Sequence, residues 1–118
     1  MPQYDPVARK VYVNLQGRDT LAVIDPVTDT VVENHRVDGC RGNHGMAIDA
    51  DRRRAFLSCD GNDTLTVVDL ESHQAIAHLP MAKGADVVMF DPGLGRIYVA
   101  CGSGSISVFQ MDDPTHFS

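Results

Sequence analysis

Residues 54–69 read RAFLSCDGNDTLTVVD, two β-rich runs joined by a short polar turn. The same pattern occurs at residues 11–25 and again at residues 97–110, where the second run arrives one residue early. Each copy follows an aspartate that succeeds a large apolar residue, and these aspartates are 44 and 42 residues apart: Asp5, Asp49 and Asp91. Self-similarity at such a period is typical of a repeat architecture.

The second copy shows best what one repeat contains. It has four strand-length runs, at about 44–48, 54–59, 64–69 and 74–79, which are rich in β-branched residues and separated by turn-forming pairs such as Gly-Asn. No stretch has helical periodicity over three turns. Four short strands every 42 or so residues predict an all-β chain of β-propeller blades, each a four-stranded antiparallel sheet. About three blades are expected, in an incomplete ring.

The repeat boundaries divide the chain into consecutive blades within a single partial propeller, 1–118. Blade one is predicted at about 1–38, blade two at about 42–80 and blade three at about 84–118. The last blade is expected to lack most of its fourth strand, because only residues 112–118 remain for it. A full ring at this spacing needs more blades than the chain has.

The repeats also carry a family resemblance, in a four-residue run followed by a polar loop and an apolar strand that ends in aspartate. The three runs are Tyr12-Val13-Asn14-Leu15, Phe56-Leu57-Ser58-Cys59 and Tyr98-Val99-Ala100-Cys101. They resemble the YVTN-type β-propeller repeats of YncE-like proteins, although Leu15, Cys59 and Cys101 replace the closing asparagine and Gln110 replaces the final aspartate. The resemblance implies a seven-bladed ring and a periplasmic or secreted protein, whereas residues 1–10 contain no signal peptide.

Composition narrows the classes of partner. The formal net charge is −6 and the acidic residues are spread along the chain, which opposes binding to a phosphate backbone, so no nucleic-acid partner is expected. No apolar run approaches the roughly 20 residues that span a bilayer, so no membrane association is expected. The basic triplet Arg52–Arg54 is interpreted as a solvated turn.

An open ring leaves the flat faces of its two end blades bare. If each exposes a few hundred Å² of apolar surface, the burial that is lost amounts to about 10 kcal/mol per face. Two arrangements would cover these faces: self-association of copies into a ring, or the remainder of a longer chain. The second is favoured, because every seam of a head-to-tail ring would miss an outer strand.

Loops at one end of the blades are expected to carry any site, because most of the glycines fall there. These glycines are Gly17, Gly39, Gly42, Gly45, Gly61, Gly84, Gly102 and Gly104, while Gly93 and Gly95 fall at the other end. At the glycine-rich end, His44 and Asp86 occupy equivalent positions on adjacent blades. With Arg41 and Asn43 they form the predicted ligand-binding set. The alternative is that they are a hydrogen-bonded pair orienting the crossovers.

Three functions fit these observations. The first is a non-catalytic binding or scaffold module that presents its glycine-rich face to a small ligand or a protein. The second is a fragment of a lactonase- or lyase-like propeller enzyme with a site at the channel mouth. The third is a structural segment that self-assembles. No catalytic residue, metal ion or cofactor is assigned by any motif.

Cysteines, histidines and strand-ending aspartates receive structural interpretations. Three cysteines without a C-x-x-C pair do not indicate a disulfide framework. Cys59 and Cys101, at equivalent positions, are predicted to be small buried hydrophobic residues, and Cys40 a loop residue. Asp25 and Asp69 are expected to bind turn amides. Four histidines are interpreted as solvated: His35, His73, His78 and His116.

Overall fold

The computed structural model describes residues 1–118, and its strands form three consecutive sheets. Blade one contains β1 Pro2–Asp5, β2 Lys10–Leu15, β3 Thr20–Asp25 and β4 Thr30–Arg36. Blade two contains β5 Asn43–Asp49, β6 Arg54–Cys59, β7 Thr64–Asp69 and β8 Ala75–Pro80. Blade three contains β9 Ala85–Asp91, β10 Arg96–Cys101, β11 Ser105–Asp113 and β12 His116–Phe117.

Each sheet is antiparallel and its strands are ordered as in the sequence. The all-β prediction of propeller blades in an open ring is therefore confirmed. The fourth strand of blade three does form, although it has only two residues. The one helical element is a single 3-10 turn at Gln16–Arg18, so the structure has no helix that could cross a bilayer.

Blade two is the centre of the fold because both of its faces are covered. Phe56 and Leu57 are neighbours in β6 and point to opposite faces, yet both are completely buried. Leu57 packs with Tyr12 and Leu21 of blade one, in a first core between blades one and two. Phe56 packs in a second core, between blades two and three, with Ile97, Val99 and Phe109 among its members.

The outward faces of blades one and three have no neighbouring sheet. On blade three, Met89, Ile106 and Val108 are 59%, 69% and 55% exposed, and on blade one Tyr4 and Val31 are 53% and 56% exposed. Cross-strand pairing places Met89 and Val108 on either side of Tyr98, so these side chains form a continuous surface. Apolar residues that a closed ring would bury are thus exposed at both ends of this chain.

The aspartates that end β3 and β7 make the same hydrogen bond in their turns. Asp25 accepts a hydrogen bond from the Val27 amide at 2.9 Å, and Asp69 accepts one from the Glu71 amide at 2.8 Å, which confirms the predicted turn role of both aspartates. The repeat thus sets the hairpin geometry as well as the strands.

The basic triplet is not a solvated turn, contrary to the prediction. The guanidinium of Arg53 donates to the buried carboxylate of Asp5 in blade one at 2.8 Å. The Nε of Arg54 donates to the Pro114 carbonyl of blade three at 2.6 Å. Arg52 is exposed, and its guanidinium donates to the Asp49 carboxylate of the same turn at 3.0 Å. Because the prediction considered each turn alone, it missed that two arginines connect blade two to both of its neighbours.

Cys40 lies in a loop and Cys59 is buried, as predicted, but no disulfide was expected and the two form one, with a Cα–Cα distance of 5.4 Å. The crossover from β4 returns to the sheet at Asn43, which pairs with Cys59 in the ladder. Cys40 therefore lies close to the end of β6, within the range a disulfide requires. Cys101 is free and buried, as predicted.

The histidine interpretation was wrong for His35 and His73, which are half-buried. Their rings stack at the junction of blades one and two, with centroids 4.2 Å apart. Burial, and then the neighbouring His35 imidazole, lowers the pKa of His73 below its usual value. His78 and His116 are exposed, in agreement with the prediction, although His78 also contacts the Thr66 hydroxyl at 3.1 Å.

Candidate functional site

The loops of the glycine-rich end pack directly on one another. The Gly61 amide donates to the Arg41 carbonyl at 2.9 Å, and the Gly102 amide donates to the Gly84 carbonyl at 2.6 Å. Gly84 has a φ of +79°, and a side chain there would begin 2.9 Å from the Gly102 nitrogen. Glycine is required at this position both by the backbone conformation and by the close approach of the next loop.

His44 connects all three blades at this end. Its Nε2 lies 3.0 Å from a carboxylate oxygen of Asp86 in blade three, and its Nδ1 lies 3.1 Å from the side-chain oxygen of Gln16 in blade one. The carboxylate can only accept, so the Nε2–H of His44 donates to Asp86. Both side chains are accessible to solvent, at 45% for His44 and 61% for Asp86.

The backbone beneath these two side chains is held by a repeated hydrogen bond. The Asn14 amide of β2 donates to the His44 carbonyl at 3.0 Å, and the Ser58 hydroxyl of β6 donates to the Asp86 carbonyl at 2.9 Å. Asn14 and Ser58 are equivalent positions in blades one and two. Each blade therefore holds the backbone of the candidate residue of the following blade through an equivalent bond.

A surface depression of about 360 Å³ lies around this pair. Its lining residues are Gln16, His44, Asp60, Gly84, Ala85 and Asp86. Two carboxylates, an imidazole and an amide thus converge from three blades on one open depression. Such a set can accept hydrogen bonds from hydroxyl or ammonium groups of a small polar molecule.

The four predicted ligand-binding residues are not all together. His44 and Asp86 are in contact, as their equivalent positions suggested. Asn43 is completely buried, and its amide donates to the Asn14 side chain and to the Thr20 carbonyl at 2.6 and 2.9 Å. Arg41 lies beside a different depression, on the outer side of the crossover. Neither residue is placed to touch a ligand held by His44.

Two lining residues were missed by the sequence analysis, namely Gln16 and Asp60. They occupy equivalent positions, 44 residues apart, in the loops after β2 and β6. The repeat register could therefore have found them, because a loop that follows the second strand of a blade lies at the same end as the crossovers. Gly102 stands at the corresponding position of blade three.

The crossover that carries Arg41 is bonded to the end of β6 and to the loop that follows it. Besides the disulfide, the Asn62 side chain accepts from the Arg41 amide at 3.1 Å and donates to the Gly39 carbonyl at 2.9 Å. A covalent bond and two hydrogen bonds thus hold one short loop. The segment leading into β5 is therefore rigid, and His44 is presented on a preorganised backbone.

Each of the three sheets contacts the next through its flat face, and β1, β5 and β9 are the innermost strands. This arrangement is that of consecutive β-propeller blades. No protein-family model matches the chain, and no curated protein matches it in sequence.

Solved structures share the fold. A chain of hydrazine synthase from Kuenenia stuttgartiensis superposes with a TM-score of 0.78 at 20% identity, covering 91% of this chain and 31% of that one. A functionally unknown protein from Desulfotomaculum acetoxidans DSM 771 gives 0.74 at 12% identity, with 92% and 36% covered. Hsv2 from Kluyveromyces lactis gives 0.65 at 10% identity, with 98% and 33% covered. The chain thus spans about a third of each, and the likeness shows the fold alone.

Proposed function

We propose that this chain is a non-catalytic binding module, part of a YVTN-type, YncE-like propeller, whose glycine-rich end binds a small polar ligand. The family assignment is supported by the three runs that begin at Tyr12, Phe56 and Tyr98. The site is the depression around His44 and Asp86. The ligand class that suits it is a small molecule with ammonium or hydroxyl donors, because Asp60 and Asp86 are both acceptors.

The observation that carries this proposal is the bridging position of His44. One imidazole contacts side chains from both neighbouring blades, at 3.1 and 3.0 Å, while remaining open to solvent. A residue that served only to hold the blades together would gain most from being buried, as Arg53 and Asp5 are. Polar groups that are fixed yet accessible are what a binding site requires.

The test uses a panel of amino sugars and linear diamines as probes. Amide chemical shifts of the wild-type protein are followed by NMR as each probe is added. Binding at the site predicts shifts confined to the loops around residues 16, 44, 60 and 86, and their loss in His44→Ala. The matched control is His116→Ala, because His116 also pairs with an exposed carboxylate, Asp113, at 2.7 Å but belongs to the other end of blade three.

Two outcomes would contradict the proposal. One is that no probe shifts any resonance of the depression. The other is that His44→Ala and His116→Ala bind the probes equally well, which would show that His44 is not required for binding.

The proposed location is periplasmic or secreted. The Cys40–Cys59 disulfide supports it, because structural disulfides persist in oxidising compartments and are rare in the cytosol. Quantifying free thiols in protein purified from its native source under alkylating conditions tests this. One thiol per chain, from Cys101, is expected, and three would contradict the proposal.

A second candidate function is self-association, or docking on further blades, through the bare end faces. It is favoured by the continuous apolar surface of Met89, Tyr98 and Val108 on blade three. The mass of the purified chain in solution tests it. Association predicts a concentration-dependent mass that Val108→Glu abolishes, and a monomer at all concentrations would contradict self-association.

A further inference from the structure

We propose that Glu33, His35 and His73 form a binding site for a divalent transition-metal ion, with zinc as the ion that suits it best. The site lies at the outer rim of the junction between blades one and two, away from the depression around His44. Its ligands come from the outer strand β4 and from the turn before β8. The proposal is independent of the binding function given above.

The fold brings the three side chains to one place by strand periodicity and blade packing. Glu33 and His35 are two residues apart in β4, so they share a face of the strand. Their ladder partners are Val23 and Leu21, which belong to the core facing blade two. The two polar side chains of β4 thus point towards blade two, where the turn after β7 presents His73.

The distances between the ligand atoms of the three side chains are short enough for one ion to bind all of them. One ligand atom from each residue lies within 4.8 Å of the other two. Ligand atoms on a single tetrahedral zinc are roughly 3.3 Å apart, because Zn–N and Zn–O bonds are about 2.0 Å long. Closing the site therefore requires side-chain rotations that turn the His35 and His73 rings out of their stacked arrangement. Glu33, with a 49% exposed side chain, is free to follow them.

One buried nitrogen of the cluster has no hydrogen-bond partner, which supports a bound metal ion. Nε2 of His35 is buried and has no hydrogen-bond partner, and Oε1 of Glu33 is 3.7 Å away, beyond hydrogen-bond distance. Buried polar atoms in folded proteins are nearly always paired, so an orphan of this kind calls for an explanation. A metal ion between His35 and Glu33 would supply the partner.

The second histidine already has the support that metal ligands usually have. Nε2 of His73 lies 3.4 Å from the Tyr12 hydroxyl, which leaves Nδ1 for a metal ion. Hydrogen bonds to the other ring nitrogen orient ligating histidines and fix their tautomer. The Arg53 guanidinium is bound to Asp5 at 2.8 Å, so its charge is partly offset by that carboxylate.

The donor set selects the class of ion. Two imidazoles and one carboxylate favour zinc, copper or nickel, whereas magnesium and calcium prefer oxygen donors alone. Three protein ligands leave one position of a tetrahedral zinc for water. Because its ligands come from two blades, the ion would also cross-link them, and it would stabilise the folded state over the unfolded chain.

The experiment is a titration of the chelator-treated full chain with zinc chloride, followed by calorimetry and by the melting temperature. One ion per chain and a rise of several degrees in melting temperature are expected. Cobalt(II) serves as a spectroscopic probe, with visible absorption bands of a four-coordinate ion. Binding of only magnesium or calcium, or of no metal ion at all, would overturn the proposal.

Variants locate the ion. His73→Ala and Glu33→Gln should each weaken zinc binding by at least about tenfold, in line with the loss of one ligand. Glu33→Gln is the variant that keeps the fold, because the residue is exposed and the change is nearly isosteric. His44→Ala and His116→Ala are the matched controls and should bind zinc as the wild type does. If either control loses zinc while Glu33→Gln and His73→Ala retain it, the site is elsewhere and the proposal is wrong.

Discussion

The two junctions between blades share one backbone geometry but use different side chains. Between blades one and two lie a disulfide, the Arg53–Asp5 ion pair and the stacked His35 and His73 rings. Between blades two and three lie aromatic contacts, with the Phe56 and Phe90 ring centroids 4.9 Å apart and Phe117 packed at 6.4 Å from Phe56. The first junction is cross-linked and polar at its rim, and the second is aromatic.

This difference teaches that a propeller repeat specifies how blades stack without specifying what holds them together. The only side-chain hydrogen bond common to both junctions at equivalent positions is the one from Asn14 or Ser58 to the innermost strand of the following blade. Blade three has Ala100 at that position, which cannot donate. Its outward face is therefore not equipped to position a further blade in the same way.

The largest expected effect comes from the aromatic junction. Phe56→Ala should lower the free energy of unfolding by about 3–5 kcal/mol, because it opens a cavity beside Phe90 in a fully buried core. Urea denaturation measures it. Met89→Ala, at a 59% exposed position, is the control and should cost little. A loss below about 1 kcal/mol for Phe56→Ala would show that the second core collapses around the gap.

The next largest loss of stability is expected from removal of the disulfide. It joins residues 19 positions apart, so the double variant Cys40→Ala, Cys59→Ala should lose about 3 kcal/mol of stability, mainly because its unfolded chain is less constrained. Melting temperatures with and without a reducing agent measure this. Reduction should destabilise the wild type and leave the double variant unchanged. Equal sensitivity of the two proteins to reductant would contradict the prediction.

The ion pair at the same junction should give a smaller, pH-dependent effect. Burial alone would raise the pKa of Asp5, but the Arg53 guanidinium and the amides of Val7 and Ala8 outweigh it and lower the pKa below its ordinary value. A carboxyl group with a lowered pKa in the folded state stabilises the protein above its unfolded pKa of about 3.9, and this contribution is lost as the pH falls through the folded pKa.

Arg53→Met tests this linkage. The variant should lose about 2 kcal/mol at neutral pH, because Asp5 keeps its two amide donors but not its charged one. Its acid unfolding should begin at a higher pH than that of the wild type. Arg18→Met is the control and should leave acid unfolding unchanged, because Arg18 is exposed and is not paired with a carboxylate. Identical acid unfolding of Arg53→Met and wild type would mean that Asp5 does not depend on Arg53.

The smallest expected effect concerns the hydrogen bond that the two junctions share. Ser58 donates to the Asp86 carbonyl and accepts from the Gly45 amide, both at 2.9 Å, so Ser58→Ala should cost about 1–2 kcal/mol. Chemical denaturation measures it, with Ser103→Ala in an exposed turn as the control. If the cost matches that of the control, the backbone of β9 is positioned without this bond.

Much of the fold was predictable because its signals are local. The four runs of each repeat, the polar turns and the aspartates at strand ends all act over a few residues. Asp25 and Asp69 perform the predicted turn role for this reason. The equivalence of His44 and Asp86 followed from counting, since residues at one phase of a repeat occupy one place on successive blades.

Interactions between blades were not predictable in the same way. Comparing equivalent positions drew attention to Cys59 and Cys101 and away from Cys40, which belongs to a crossover. Arg53 and Asp5 are 48 positions apart, and no sequence pattern pairs them. The stacking of His35 on His73 likewise requires knowing how the outer strand of one blade meets a turn of the next.

The amino-acid sequence by itself thus determined the repeat, the strands and the end of the blades where His44 and Asp86 lie. Only the tertiary structure decided the disulfide, the inter-blade arginine contacts, the His35–His73 cluster and the burial of Asn43. The physical reason is that strand periodicity and turn chemistry act between near neighbours in the chain. Side-chain pairing across a junction depends instead on the twist of each sheet and the rotation between sheets, which are set by the packing of whole faces.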